Sequence, residues 1–178
     1  MGKLRTPVTE NDHQTGNLKS KVTLVEYGDY QCSYCGAAYP LVKRLLKEHG
    51  QDLLFVFRNF PLQDAHPQAM VAALAAEAAN EQGKFWGMHG LIYENQDDLS
   101  EDSLLNFAKT LGLNLDDFDK DWKSETISLK VEADFESGVR SGVNGTPSFF
   151  INGDKLDSYD ATYESLADAV GLLNNFNN

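Results

Sequence analysis

A chain of 178 residues, 42% of them apolar, suits one domain with a full core and is too apolar for a disordered segment. Its net charge of −12, from 27 acidic against 15 basic side chains, repels phosphate backbones and excludes nucleic acid as an expected partner. No run reaches the roughly 18 consecutive apolar residues of a membrane helix, so no membrane span is expected.

Residues 1–19 are polar, contain Pro7 and Gly16, and are expected to form an irregular arm. They hold no apolar leader segment, which favours a cytoplasmic location; a mature form that had lost its leader would instead belong to the periplasm or cell envelope. "MGKLRT" fits the Gly-x-x-x-Ser/Thr myristoylation pattern, but a pattern that short is met often by chance. Residues 22–27 (VTLVEY) predict a buried strand that ends at Gly28-Asp29. From 33 to 49, Ala38, Leu41, Val42, Leu45 and Leu46 share one face, which predicts a helix stopped by Gly50. Pro40 lies inside that helix and removes one ladder hydrogen bond, so a kink is expected there. Residues 53–60 (LLFVFRNF) predict a second strand, ended by Pro61. Strand, crossover helix and strand make a βαβ unit with parallel strands and a right-handed crossover. Arg58 on this buried strand requires an acidic partner or an exposed end.

The next seventy residues read as helices. The alanine-rich stretch 66–82 follows His66-Pro67 and ends at Gly83. Further helices are expected at 84–95, at 101–111 between a Ser100 cap and Gly112, at 115–123 and at 126–137. "DFDKD" at 117–121 spaces carboxylates like a calcium loop, but Trp122 and Ser128 stand where such a loop needs Gly and Glu. Phe85, Trp86, Met88 and Tyr93 fall at helical spacing and read as core. The strand pattern returns at 147–151 (PSFFI). Asn152-Gly153 predicts a two-residue hairpin into a strand near 155–158, and a helix over 162–173 closes the chain.

The two cysteines, Cys32 and Cys35, fall at the start of the first helix. A helix N-terminus carries unpaired N–H groups and about half a positive charge, and both stabilise a thiolate. Cys32 is therefore the expected nucleophile, and Cys35, one turn further on, can attack the mixed disulfide formed at Cys32. A structural disulfide across so short a loop would constrain the unfolded chain little. A structural zinc site needs four ligands, and His13, His49, His66 and His89 show no finger spacing; a metal shared across a dimer stays open. Thr146-Pro147 opens a strand after a glycine-rich loop. A cis bond there would turn the Thr146 backbone outward to pair with an extended peptide, while an ordinary trans strand start fits the residues equally.

The strand–loop–CSYC–helix start, the helical insertion and "GVNGTPSFFING" resemble the thioredoxin superfamily and, within it, the DsbA-like thiol–disulfide oxidoreductases. "VEYGDYQCSYC" and "FRNFPL" are similar to motifs of a bacterial subgroup found alone or fused to sodium/proton antiporters. The likeness runs from about 20 to 175. It implies an α/β thioredoxin core over 20–62 and 138–175, with a helical subdomain at 63–137 inserted between the βαβ and ββα halves, behind the arm 1–19. It implies that Cys32 is the exposed nucleophile, Cys35 the resolving thiol and Glu26 a buried acid beneath them. It further implies that Pro147 is cis and faces the pair, with Thr146, Ser33 and Tyr34 on the substrate side. Ser33-Tyr34 stand where the best-known periplasmic oxidant has Pro-His, so one stabiliser of the Cys32 thiolate is absent. The implied activity is dithiol–disulfide exchange with protein or peptide substrates by a monomer, with a separate recycling partner. No cofactor is required, because the sulfur pair carries the electrons. The rival readings are a glutathione-linked transferase or isomerase, a metal-binding module and a non-catalytic peptide-binding domain.

Overall fold

The computed structural model describes residues 2–171. Five strands form one mixed sheet in the order β1-β3-β2-β4-β5. They are β1 (His13–Gly16), β2 (Thr23–Gly28), β3 (Leu54–Asn59), β4 (Ser148–Ile151) and β5 (Asp154–Lys155). β2 and β3 are parallel and joined by α1 (Ser33–His49), as the βαβ pattern requires. α1 continues through Pro40. Five helices follow β3: α2 (Ala69–Asn80), α3 (Phe85–Glu94), α4 (Glu101–Thr110), α5 (Leu115–Trp122) and α6 (Glu125–Arg140). β4 and β5 then form an antiparallel hairpin, and α7 (Tyr163–Ala169) packs against α1. The sequence expectation placed the last helix over 162–173; residues 172 and 173 lie outside the described residues. Among those residues no helix is long and apolar enough to cross a membrane.

The sheet is buried on both faces, and the period-two alternation assigns each side chain to one of them. Leu24, Phe55, Phe57 and Phe149 join the larger apolar cluster with α1, α2 and α3. Val25, Tyr27, Leu54, Val56 and Phe150 join a smaller cluster with Val143 and Phe60. Glu26 lies between Leu24 and Gly28 in this alternation and faces the larger cluster. Helix caps follow the local sequence: Ser100, Asn114, Ser124 and Thr162 each accept a backbone N–H of the first turn they precede. Asn152 and Gly153 both take positive φ, 50° and 87°, which a type I′ hairpin turn needs. The strand after it is shorter than expected, two residues rather than 155–158, although Leu156 N–H still donates to Phe149 O at 2.8 Å.

The arm departs most from expectation. It is ordered against both edges of the sheet. Leu4 N–H donates to Gly153 O (2.8 Å) and Lys155 N–H to Gly2 O (2.9 Å) at one edge. Residues 13–16 pair antiparallel with β3 at the other. An edge strand needs only backbone hydrogen bonds along one side, so polar "HQTG" shows no apolar alternation to read. Arg58 fastens the segment between the two edges. Its guanidinium donates to Thr6 O and Pro7 O, both at 2.9 Å, to Tyr27 Oη at 2.9 Å, and to Asp12 at 2.7 and 3.1 Å. Asp12 is the acidic partner the strand position called for, and both side chains are buried. Arg58→Ala leaves Asp12 buried and unpaired and orphans two carbonyls, at an expected cost of about 3–5 kcal/mol. Urea unfolding at unchanged m-value measures it; a loss below about 1 kcal/mol would show that the arm is not held through Arg58.

Candidate active site

Cys32 is the N-cap of α1, with extended backbone angles (φ −70°, ψ 121°). The first turn of α1 carries no acidic side chain, so nothing there offsets the positive end of the helix. Both thiols are free. Cys32 Sγ lies 3.4 Å from the carbonyl oxygen of Thr146, and the Thr146–Pro147 peptide is cis. The fold thus brings the start of α1 and the start of β4 together although the two residues are 114 apart in sequence.

The two thiols are held in opposite states. A hydrogen bond from Cys35 is the largest influence on Cys32, and the Thr146 side chain and the N–H groups of Cys35 and Tyr34 act in the same direction; against the opposing effect of burial they bring its pKa down to about 5. Thr146 Oγ1 is buried and makes no hydrogen bond of standard geometry. Cys35 is pushed well above the ordinary thiol range, first by burial, then by donating to Cys32, then by the charges of Glu26 and Cys32. A bond from Asp29 N–H to Cys35 Sγ at 3.4 Å offsets part of this.

Glu26 sits on β2 with β3 on one side and β4 on the other. It is buried and its Oε1 has no hydrogen-bond partner. Burial, and secondarily the Cys32 charge, raise its pKa to about 8. A solvated strand-edge carboxylate, the plain alternative for this residue, does not describe it. Ser33 and Tyr34 are exposed, Tyr34 by 71%. One expectation needs correction: Cys32 was expected to be exposed, yet it is only 5% accessible, because its sulfur is tucked against the Thr146 carbonyl.

Three residues escaped the sequence reading. Asp29 is buried and holds the turn before α1: Oδ1 accepts the N–H of Gln31 (2.7 Å) and of Cys32 (3.1 Å). Its Oδ2 accepts the Leu62 N–H at 2.8 Å and pairs with His66 Nδ1 at 2.9 Å. His66 had been read only as a helix start. An Asp three residues before an N-cap cysteine was the available signal for this capping. Gln96, after α3, carries no comparable sequence signal, and donates to Tyr30 O (2.8 Å) and Cys32 O (2.9 Å). Among the described residues no group of three or more His, Cys, Asp or Glu side chains is arranged to hold a metal ion.

This site lies in a fold with many relatives. A family model described as thioredoxin matches residues 8–170. A protein named Na(+)/H(+) antiporter NhaA 1 from Salinispora arenicola is 43% identical over 151 residues, which is 84% of this chain and 23% of that protein. Na(+)/H(+) antiporter NhaA from Herminiimonas arsenicoxydans is 39% identical over 160 residues, 89% of this chain and 25% of that one. The chain therefore spans about a quarter of the length of these relatives. A solved thioredoxin-like oxidoreductase from Silicibacter pomeroyi superposes with a TM-score of 0.82 at 27% identity, covering 94% of each chain. Oxidised BdbD from Bacillus subtilis gives 0.81 at 23% identity, covering 96% of this chain and 95% of that one, which is a likeness of fold. The chain belongs to the thioredoxin family.

Proposed function

We propose that the protein is a thiol–disulfide oxidoreductase acting on protein or peptide substrates through Cys32 and Cys35. The observation that carries this reading is the opposed pair: within one helical turn, Cys32 is an acidic thiol near pKa 5 and Cys35 is held protonated. A thiolate attacks and a buried thiol waits, which is what a two-step exchange needs. The Cys32 thiolate attacks one sulfur of a substrate disulfide, forms a mixed disulfide and expels the other substrate sulfur as a thiolate. In the mixed disulfide the Cys32 charge that helps keep Glu26 protonated is gone; Cys35 then loses its proton to the ionised form of Glu26, attacks Cys32 and releases the second substrate thiolate. Two electrons have passed to the substrate, and the Cys32–Cys35 disulfide remains. Run in reverse, the same steps oxidise a dithiol. In this reading Tyr34 and Ser33 meet the substrate on one side of Cys32, and Thr146 and Pro147 on the other. The domain division at 63–137 belongs to the same proposal, although α6 continues to Arg140 across the expected boundary.

Alkylation of the reduced protein by iodoacetamide should modify Cys32 alone, with a midpoint near pH 5, while Cys35 stays unreactive at neutral pH. A midpoint near pH 8 or above would remove the activated nucleophile. Equilibration with a glutathione redox buffer gives the potential. Interpolating by nucleophile acidity between thioredoxin and the strongest periplasmic oxidant predicts about −185 mV. The absence of any reversible disulfide would overturn the proposal.

A further inference from the structure

We infer that Gln96 is a positioning residue for Cys32, through which the helical segment following β3 sets the reactivity of the redox turn. The inference rests on the exchange reaction proposed above. Asp29 takes the N–H groups of this turn, and Gln96 takes its carbonyls. Its single Nε2 is shared between Tyr30 O at 2.8 Å and Cys32 O at 2.9 Å. The same Cys32 carbonyl accepts Gly36 N–H at 3.0 Å, the bond that opens α1. Gln96 thereby fixes the Tyr30–Gln31 and Cys32–Ser33 peptide planes on either side of the nucleophile, and so the start of the turn whose next N–H groups, those of Tyr34 and Cys35, act on the Cys32 sulfur. A second tie runs from Gln68 N–H to Gln31 Oε1 at 2.6 Å, so the turn is bound to the helical segment at more than one point.

Gly36 provides an independent observation. A Cβ built there would lie 1.9 Å from Gln96 Oε1 and 2.7 Å from its Cδ. Glycine inside a helix is ordinarily worse than alanine. At position 36 it leaves the slot into which the Gln96 amide fits. A local rule is broken where the compensating contact reaches the nucleophile, which is where such breaks are expected to be functional.

Three variants of the full chain test this. Gln96→Ala frees both carbonyls, so the aimed N–H groups relax and the thiolate is less stabilised. The alkylation midpoint of Cys32 should rise, and the equilibrium with glutathione should move at least about threefold toward the protein disulfide, a drop of roughly 14 mV in potential at about 30 mV per tenfold. Gly36→Ala, which displaces the amide without removing it, should shift both in the same direction. Gly36→Ala in the Gln96→Ala background should add no further redox shift and should raise the melting temperature, since the slot is then empty. Purely structural roles would lower melting temperatures and leave midpoint and potential alone. Wild-type midpoint and potential in Gln96→Ala, or fully additive shifts in the double variant, overturn the inference. A wild-type protein with no reversible disulfide overturns the underlying reaction instead. If Gln96→Ala does not fold, Gly36→Ala alone decides by the same two readouts.

Discussion

Cys35→Ser is expected to accumulate a long-lived mixed disulfide with substrate at Cys32, and Cys32→Ser to reduce exchange to background, a loss on the order of a thousandfold or more. The asymmetry follows from the two environments. Cys32 has its low pKa first from Cys35, and then from the Thr146 side chain and two helix N–H groups. A serine hydroxyl in that position does not ionise at neutral pH, and oxygen forms no mixed disulfide, so no part of the first step survives. Cys35 is fully buried and acts only after the first bond has formed. Its removal leaves the attack intact and deletes the escape. Cys35→Ala, which removes the donor to Cys32 without putting a hydroxyl in its place, deletes the largest single influence on its acidity, so the alkylation midpoint of Cys32 should rise in that variant. Non-reducing electrophoresis against a disulfide-bonded peptide reads out the trapped species. Equal trapping by both single variants, or turnover by Cys35→Ser, would contradict the assigned order of attack.

Glu26 should make the reduced protein less stable as pH rises, and Glu26→Gln should remove that dependence. The carboxyl titrates near 4.5 in the unfolded chain and near 8 in the fold. The folded state therefore holds the proton more tightly. The contribution is complete below pH 4.5 and is lost progressively as pH rises through 8. Between pH 5 and pH 8 the wild type should lose about 3 to 4 kcal/mol more than Glu26→Gln. Part of the shift comes from the Cys32 charge, so Cys32→Ser should shallow the slope without abolishing it. Urea denaturation of the reduced proteins at the two pH values measures this. Parallel wild-type and Glu26→Gln curves would show that Glu26 is not held protonated. The same variant should slow resolution of the mixed disulfide by about 10- to 100-fold and leave the first attack nearly unchanged, because only Cys35 needs its proton removed.

What the chain alone determined was local. The position of CSYC at a strand-to-helix junction followed from a short apolar run, Gly28-Asp29 and a 3.6-residue periodicity. The Ser100 cap and the Asn152-Gly153 turn followed from side chains acting within three residues of themselves. The nucleophile was legible for the same reason, since its activation begins with the N–H groups of its own helix. The likeness of "VEYGDYQCSYC" and "GVNGTPSFFING" to one family added the expectation that Glu26, Thr146 and Pro147 belong beside the cysteines.

Tertiary structure decided everything that depends on which segments meet. Glu26 is an ordinary polar residue in the strand pattern; its raised pKa exists because β3 and β4 pair on either side of it and the larger core closes over it. The arm became sheet edge through backbone bonds that any sequence can make, and through one arginine 46 residues from its carboxylate partner. Gln96 lies 64 residues beyond the carbonyl it holds, and the glycine that admits it is on α1. Hydrogen bonds and desolvation act over ångströms in space. Periodicity and capping act over a few residues in sequence, so the nucleophile could be read directly and the groups that tune it could not.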